Sequence, residues 1–525
     1  MDEFIARHQD KITGTLSGFD RLVLRGTLRA LSYPDAMRHY LYANDVLLKD
    51  FGAHVEQVSE KLEKASQREA RQLGRPVQYL ASSQTSKEDI ARAIANKDVI
   101  REGLVCVLRC VEPCQTFDIH RNREAKKLEL VGRQRKCVFI YHYWIDPRFG
   151  FMSARIQTWF PFSIQICLNG REWLARQMDG KGIKYAAADN CFPWIEDWGK
   201  AQQLMDQQRS TEWPKVLEPI ARQLNPVHGE IFARYPVSYY WSAYQSEWAI
   251  DVIFRKAAEL RRLYPRLVHH GMTTFGSTDV MRFLGKRTRL NGQVPANFHG
   301  EVKSTLKERE EGIRIKHSVN GNSVKLYDKA FTDAGSVLRA ETTIQNVRDF
   351  RVFRAKEGES DGPKSWRPMR RGIADIHRRE EVSEKATRRY LNGLAAVDDQ
   401  TILQEVITRL QKHTVWKGRR VRALRPFADD RPLLAAVTRG EFTISGFRNR
   451  DLQALLFSSV AKTSREARRR AAWITRQLRL LRAHGLINKI TGTHRYQLTN
   501  AGRKLSVAIL TALRCTVAQL TELAA

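Results

Sequence analysis

The sequence predicts an α+β protein, in which a mixed, largely antiparallel sheet with helical insertions precedes a mostly helical tail that ends in a β-hairpin. Three observations carry this expectation. Period-two runs of apolar and polar residues, bounded by turn residues, recur over about the first 195 positions and again over 300–345. Helical periodicity fills most of the remainder. The composition is that of a folded chain, with 42 % hydrophobic and 28 % charged residues among 525, enough for about three domains.

The elements follow in order. Residues 11–28, KITGTLSGFDRLVLRGTL, read as two short strands around a turn at Ser17-Gly18. Residues 34–75 are helical, with a break at Phe51-Gly52, and Ser86 caps a further helix with Glu88 and Asp89 in its first turn. GLVCVLRCV, KCVFIYHYWI and FGFMSARIQTWF are strands, the last two joined by a turn over 146–150. PFSIQICL is a fourth strand, and Asn169-Gly170 begins a helix. Residues 198–287 read as helical. Asn320-Gly321 is a strong hairpin signal among the strands of 300–345. The polar stretch AKEGESDGPKSWRPMRRG, 355–372, reads as a linker or mobile loop, and helices continue to about 412. The expected division is 1–195, an α+β domain; 196–355, a helical segment with a hairpin region, separate or joined to the first core; 356–430, linker and helices; and 431–525.

The last of these has the clearest order. RPLLAAVTRGEF and GFRNRDLQALLF are short helices. Ser464 caps a third helix, stopped by Gly485, and LINKI with HRYQLT makes a hairpin around Thr491-Gly492-Thr493 before a final helix. Helix–helix–helix–hairpin is the order of a winged helix-turn-helix. On the third helix Ala471, Ile474, Leu478 and Leu481 share one face, while Arg465, Arg469, Ala472, Arg476, Arg479 and Ala483 share the other. Guanidinium groups alternating with small residues suit a DNA major groove. Lys489, His494 and Arg495 lie on the hairpin, where a wing would track the backbone. The same helix also fits a plain amphipathic role with a solvated face.

The net charge of +32, from 89 Lys+Arg against 57 Asp+Glu, points to a polyanionic partner whose counterions are released on binding. Duplex DNA is the expected partner and RNA the alternative. The N-terminus has no apolar signal core, and no apolar run is long enough for a membrane span, so a cytoplasmic protein without a membrane partner is expected. Cys106, Cys110 and Cys114 share a strand face but step about 13 Å apart, too far for one metal, and read as buried reduced thiols.

Two groups could carry chemistry. Read as a helix, residues 236–254 place Tyr240, Tyr244, Glu247 and Asp251 at spacings of four, three and four. That brings two carboxylates and tyrosines to one side, and a tyrosine can be the nucleophile in strand transfer. In 314–346, Tyr327 and Lys329 share one strand face and Arg339 and Glu341 another. Glu247, Asp251 and Glu341 are then metal ligands, for Mg²⁺ or Mn²⁺. Tyr327 or Tyr240 is the nucleophile, and Lys329 and Arg339 stabilise phosphate. The bland alternatives are core packing for the first group and a cross-strand ion-pair ladder for the second. Asp20 reads as a structural partner of Arg21 and Arg25. There is no His-hydrophobic-His pair, no CxxC pair and no GxxxxGK[ST], which argues against zinc fingers and P-loop ATPases.

Several segments carry resemblances. LLRAHGLINKITGTHRYQLTNAGR resembles the winged helix of MarR-type regulators, and the K-x-YDK…LR-x-E pattern is similar to one in rolling-circle replication initiators. Over nearly its full length the chain resembles a widespread bacterial family loosely labelled transposase-like or winged-helix. The segments that carry this are GFDRLVLRGTL, RIQTWFPF.IQICLNGREWLARQM, YYWS.YQSEWA.D, IKHSVNGNSVKLYDK, LR.ETTI and GEFTI.GFRNRDL. The resemblance implies a bacterial DNA-binding protein of mobile-element type, with metal-dependent nicking or cleavage as the enzymatic expectation. The alternatives are a non-enzymatic regulator, whose large part forms a homo-oligomer or reads a partner, and a structured-RNA binder.

Overall fold

The computed structural model describes residues 2–286, 300–309, 312–332, 335–356, 359, 362–395, 403–439, 442, 446–490 and 493–516. It is an α+β protein of two compact units. One comprises Thr13–Ile253 and Ala330–Glu384, the other Met1–Ile12, Phe254–Lys329 and Lys385–Ala525.

The first unit is built on long strands. β1 (Ile12–Thr27) is one continuous strand rather than two. Gly18 is not a turn residue: a Cβ there would stand 2.3 Å from Met205 Cε, so the glycine lets the helix Trp198–Asp206 pack closely on the strand. After β2 (Val77–Leu80), β3 (Gly103–Asn122) and β4 (Lys127–Asp146) form a long antiparallel hairpin, in register from Gly103↔Ile145 to Asn122↔Lys127 with one irregularity between Leu104 and Cys106. The next turn leads into β5 (Gly150–Gln157), and Asp146 Oδ1 closes it by accepting from Arg148 N and Phe149 N at 2.8 and 3.0 Å. β6 (Ile164–Asn169) follows, then a small hairpin of β7 (Tyr185–Ala188) and β8 (Cys191–Ile195).

The segment read as helical around residue 240 is instead β9 (Tyr240–Phe254). The chain then enters the other unit, where β10 (Val302–Arg309), β11 (Gly312–Val319) and β12 (Asn322–Thr332) form a meander. Asn320 and Gly321 turn at positive φ, +50° and +82°, as the Asn-Gly signal requires. The chain returns as β13 (Gly335–Ile344), buried at every position. Part of the stretch expected to be a linker is ordered as strand: β14 (Arg351–Arg354) pairs with β15 (Ser365–Pro368).

In the first unit's sheet the strand order is β13-β9-β1-β6-β5-β4-β3-β2. β2 and β3 are parallel, and the β3–β4, β4–β5, β5–β6 and β1–β6 pairs are antiparallel. The helix Lys87–Lys97, capped by Ser86, packs Ala91 and Ala95 on Cys106, Cys110, Phe139 and Tyr141. The helix Phe51–Gln72 lies against β3, and there Glu63 pairs with Arg109. The seven cysteines are free thiols, as expected for the strand-borne three.

In the second unit Tyr390 is fully buried among Phe275, Phe283 and His317. A separate apolar cluster joins Leu433, Leu434, Leu452, Ile474, Leu478, Leu481, Ile487 and Ile509. It is built by the helices Arg431–Val437, Asn449–Leu456, Ser464–Ala483 and Asn500–Ala512. The strands Ile487–Lys489 and Arg495–Leu498 pair antiparallel, with Phe447–Arg448 on the far side of the latter. The cap of the long helix is Thr463, not Ser464, accepting from Glu466 N at 3.2 Å; Gly485 follows its end at φ +71°. Thr491 and Gly492 of the expected wing turn lie outside the described residues. No described helix is long and apolar enough to cross a membrane.

His142, in the middle of β4, is 3 % exposed, and neither ring nitrogen has a hydrogen-bond partner among the described residues. Burial lowers its pKa from 6.5 to about 4. The folded chain therefore holds it neutral while the unfolded chain protonates it. Its stabilising contribution is present above pH 6.5 and lost as pH falls toward 4. Unfolding free energies from urea titrations across that window should fall more steeply for the native chain than for His142→Gln, by about 3 kcal/mol in total; parallel curves would refute the assignment.

Candidate functional site

The three adjacent strands β13, β9 and β1 bring acids together in the first unit. Glu247 and Asp251, four apart on β9, share a strand face, as do Arg339 and Glu341 on β13. Asp20 comes from β1. Asp20, Glu247 and Glu341 each present an oxygen within 4.8 Å of the others; Asp20 and Glu341 are buried and Glu247 is half-buried. Two oxygens bound to one hard cation at 2.0–2.6 Å stand at most about 5 Å apart. The three carboxylates therefore fit a shared Mg²⁺ or Mn²⁺, and an all-oxygen donor set favours such ions over zinc.

Behind the triad lies a buried ion-pair network. Arg339, wholly buried, grips Asp251 with two parallel bonds, Nε to Oδ1 at 2.6 Å and Nη2 to Oδ2 at 2.9 Å. Its Nη1 reaches Asp20 Oδ1 at 3.1 Å, and Nη2 also donates to the carbonyl of Asn190 at 2.6 Å. Asn190 Nδ2 is 3.2 Å from both carboxylate oxygens of Asp20. Arg171 binds Asp251 Oδ2 through Nε at 3.0 Å, while its Nη1 has no hydrogen-bond partner among the described residues. Arg171 is placed by the start of the helix Gly170–Lys181, whose cap Asn169 accepts from Arg171 N at 2.8 Å. Gly170 is required there because a Cβ would meet Phe19 O at 1.7 Å.

Electrostatics divide the acids. Burial raises the pKa of Asp20, partly offset by Arg339 and Arg171. Asp251 is pushed up by burial too, yet the same two arginines more than compensate and hold it below the usual carboxylate range. Asp251 is thus a fixed counter-ion, whereas Asp20 keeps a carboxylate whose charge a cation or a proton would offset.

These positions revise the expected site. Asp251 is engaged by Arg171 and Arg339, and it is Asp20 that joins Glu247 and Glu341. Asp20 does not pair with Arg21, which strand alternation sends the other way, its Nε donating to Cys167 Sγ at 3.0 Å. Tyr240 was expected beside the acids on a helix. On a strand it lies seven residues from Glu247, about 23 Å along, and on the opposite face. Its ring instead stacks under the Arg29 guanidinium, 3.2 Å away. Tyr244 likewise faces away and is 40 % exposed. Tyr327 and Lys329 belong to the second unit, with Lys329 Nζ 5.9 Å from the Tyr327 ring. Arg171 and Asn190 were missed; the only sequence signal for Arg171 was its place after the helix-opening Asn169-Gly170.

In the second unit Arg465, Arg469, Arg476 and Arg479 stand exposed on the helix Ser464–Ala483, opposite the buried Ile474, Leu478 and Leu481. Lys489 and His494 are exposed on the hairpin and Arg495 is half-buried. Glu466 is engaged by Arg470 one turn along. Comparison with protein-family models, with curated proteins and with solved structures finds no match.

Removing one partner of a buried ion pair leaves the other charge stranded. Arg339→Ala should destabilise the chain by about 3–5 kcal/mol in equilibrium denaturation, while Arg21→Ala, at an exposed position, should change it by less than about 0.5 kcal/mol. Equal effects would remove Arg339 from its structural role.

Proposed function

We propose that this protein processes DNA, cutting or nicking phosphodiester bonds with a divalent cation, as a protein of mobile-element type. The observation that carries the reading is the convergence of Asp20, Glu247 and Glu341 to within 4.8 Å on neighbouring strands. A cation held by these oxygens would polarise a phosphoryl oxygen and acidify a bound water. Arg339 holds Asp20 in position. Glu247, the half-buried member, marks the side from which substrate enters. Water is the nucleophile in this reading, because Tyr240 faces away from the acids.

The C-terminal elements support a winged-helix module that docks duplex DNA. Their helix–helix–helix–hairpin order and the exposed arginine row on Ser464–Ala483 are what a major-groove helix needs. The net charge of +32 supports a polyanionic partner. A second reading, a DNA-binding regulator without catalysis, is favoured by the ion-pair network itself, since Arg339 and Asp251 are also what a purely structural polar core would contain.

Supercoiled DNA carrying the protein's own locus should be nicked or linearised with Mg²⁺ or Mn²⁺. Asp20→Asn and Glu341→Gln should each lower the rate roughly hundredfold or more without loss of duplex binding. Binding without cleavage in either metal would leave the regulator. Replacing Arg469 and Arg476 together by Ala should weaken duplex binding and reduce the slope of log K against log salt by about 1–2; an unchanged slope in fluorescence anisotropy would sink the arginine-face assignment.

A further inference from the structure

The hairpin of β14 and β15 in the first unit carries an aromatic pair that its own core does not use. Phe353 and Trp366 stand directly opposite each other in the ladder, with ring centroids 5.6 Å apart. They are 54 % and 55 % exposed. The apolar packing of this region is supplied from elsewhere: Val352 is buried, and Ile344, Val347, Phe350, Met369 and Val382 form a cluster without either ring. Strand alternation puts Arg351 on the face of Phe353 and Lys364 on the face of Trp366, and both are exposed. The Arg378 guanidinium lies 5.4 Å from the Trp366 ring, held by Glu381 and by the carbonyl of Arg351. Residues 348–378 hold nine Lys and Arg against five Asp and Glu.

We infer that this hairpin is a stacking platform for the unpaired bases of single-stranded DNA. Aromatic faces in water, rimmed by cations, match the two needs of a single strand. Its bases have exposed π-faces in any sequence, and its phosphates carry the negative charge that the exposed Arg351 and Lys364 would attract. A duplex hides its base faces and offers nothing for Phe353 and Trp366 to stack on. The inference rests on the DNA reading above and extends it: a protein that opens or cuts a duplex must hold the strand it frees.

The test uses the full-length chain and anisotropy of a labelled oligo(dT) of about 20 nucleotides, beside a duplex of equal length at the same salt. Phe353→Ala with Trp366→Ala should weaken oligo(dT) binding roughly tenfold or more and leave the duplex within about twofold. Phe353→Tyr with Trp366→Phe keeps both ring faces and should restore binding, which separates stacking from any change in the hairpin's fold. Native-like oligo(dT) binding by the alanine pair, equal loss on the duplex, no oligo(dT) binding by the native chain, or preferred binding of oligo(U) would each overturn the inference. Plasmid cleavage that persists while the alanine pair binds oligo(dT) normally would remove this inference alone; oligo(dT) binding through the hairpin without cleavage would remove only the enzymatic reading.

Discussion

The two parallel bonds between Arg339 and Asp251 hold the centre of the first unit together. A guanidinium or a carboxylate buried alone would cost several kcal/mol, so neither residue is tolerable without the other. Their geometry then dictates the neighbours. Arg339 has Nη1 left for Asp20, its Nη2 also donates to the Asn190 carbonyl, and Asp251 Oδ2 accepts from Arg171 as well as from Arg339. Asp20 and Asp251 are thereby each held by groups that are themselves held. The environments drive Asp20 and Asp251 apart in acidity although they share Arg339. One becomes a permanent charge and the other a position where charge is negotiable, the usual division between scaffold and chemistry.

Much of this was legible in the residues, though not always for the right reason. Glu247 and Asp251 were expected on one face, and they are, but the spacing of four that suggested a helix also returns to the same face of a strand. What separates the two cases is Tyr240 and Tyr244, which a helix would bring toward the acids and the strand turns away. β9 hid its identity because Trp248–Phe254 is buried on both sides, and a continuous apolar run has no period to read. β1 was split at Ser17-Gly18 because a glycine flanked by serine imitates a turn; only the packed helix above it explains the residue. Elements set by local chemistry came through intact, among them the Asp146 turn, the Asn320-Gly321 hairpin and the Asn169 cap. The partner of Asp20 did not, because Arg339 lies more than three hundred residues away and no local pattern announces it.

Arginine serves two opposed purposes in the chain. Arg171, Arg339 and Arg379 are buried and bound to acceptors of the fold; Arg379 ties Ser246 Oγ at 2.7 Å to the carbonyls of Ala243 and Ile344. Those on Ser464–Ala483 and around the β14–β15 hairpin face water. The buried ones specify the fold, and Arg171 and Arg339 add little to long-range attraction, since Asp20 and Asp251 offset their charge within a few ångströms. The excess of +32 therefore resides almost wholly on the surface, where it sets association rates with polyanions and their dependence on salt.

The interleaving of the two units reaches beyond the finished molecule. Met1–Ile12 belongs with Lys385–Ala525, where Arg388 pairs with Asp2 and Arg7 bonds the carbonyl of Ala395 at 2.8 Å. Asp20 waits for residues 339 and 341. During synthesis neither unit can close until the ribosome has passed the middle of the chain. The acids therefore remain scattered on an open polypeptide for most of translation. A chain ended before β13 would leave Asp251 without the Arg339 guanidinium that covers it. The acid cluster can therefore assemble only in a chain that extends past residue 341.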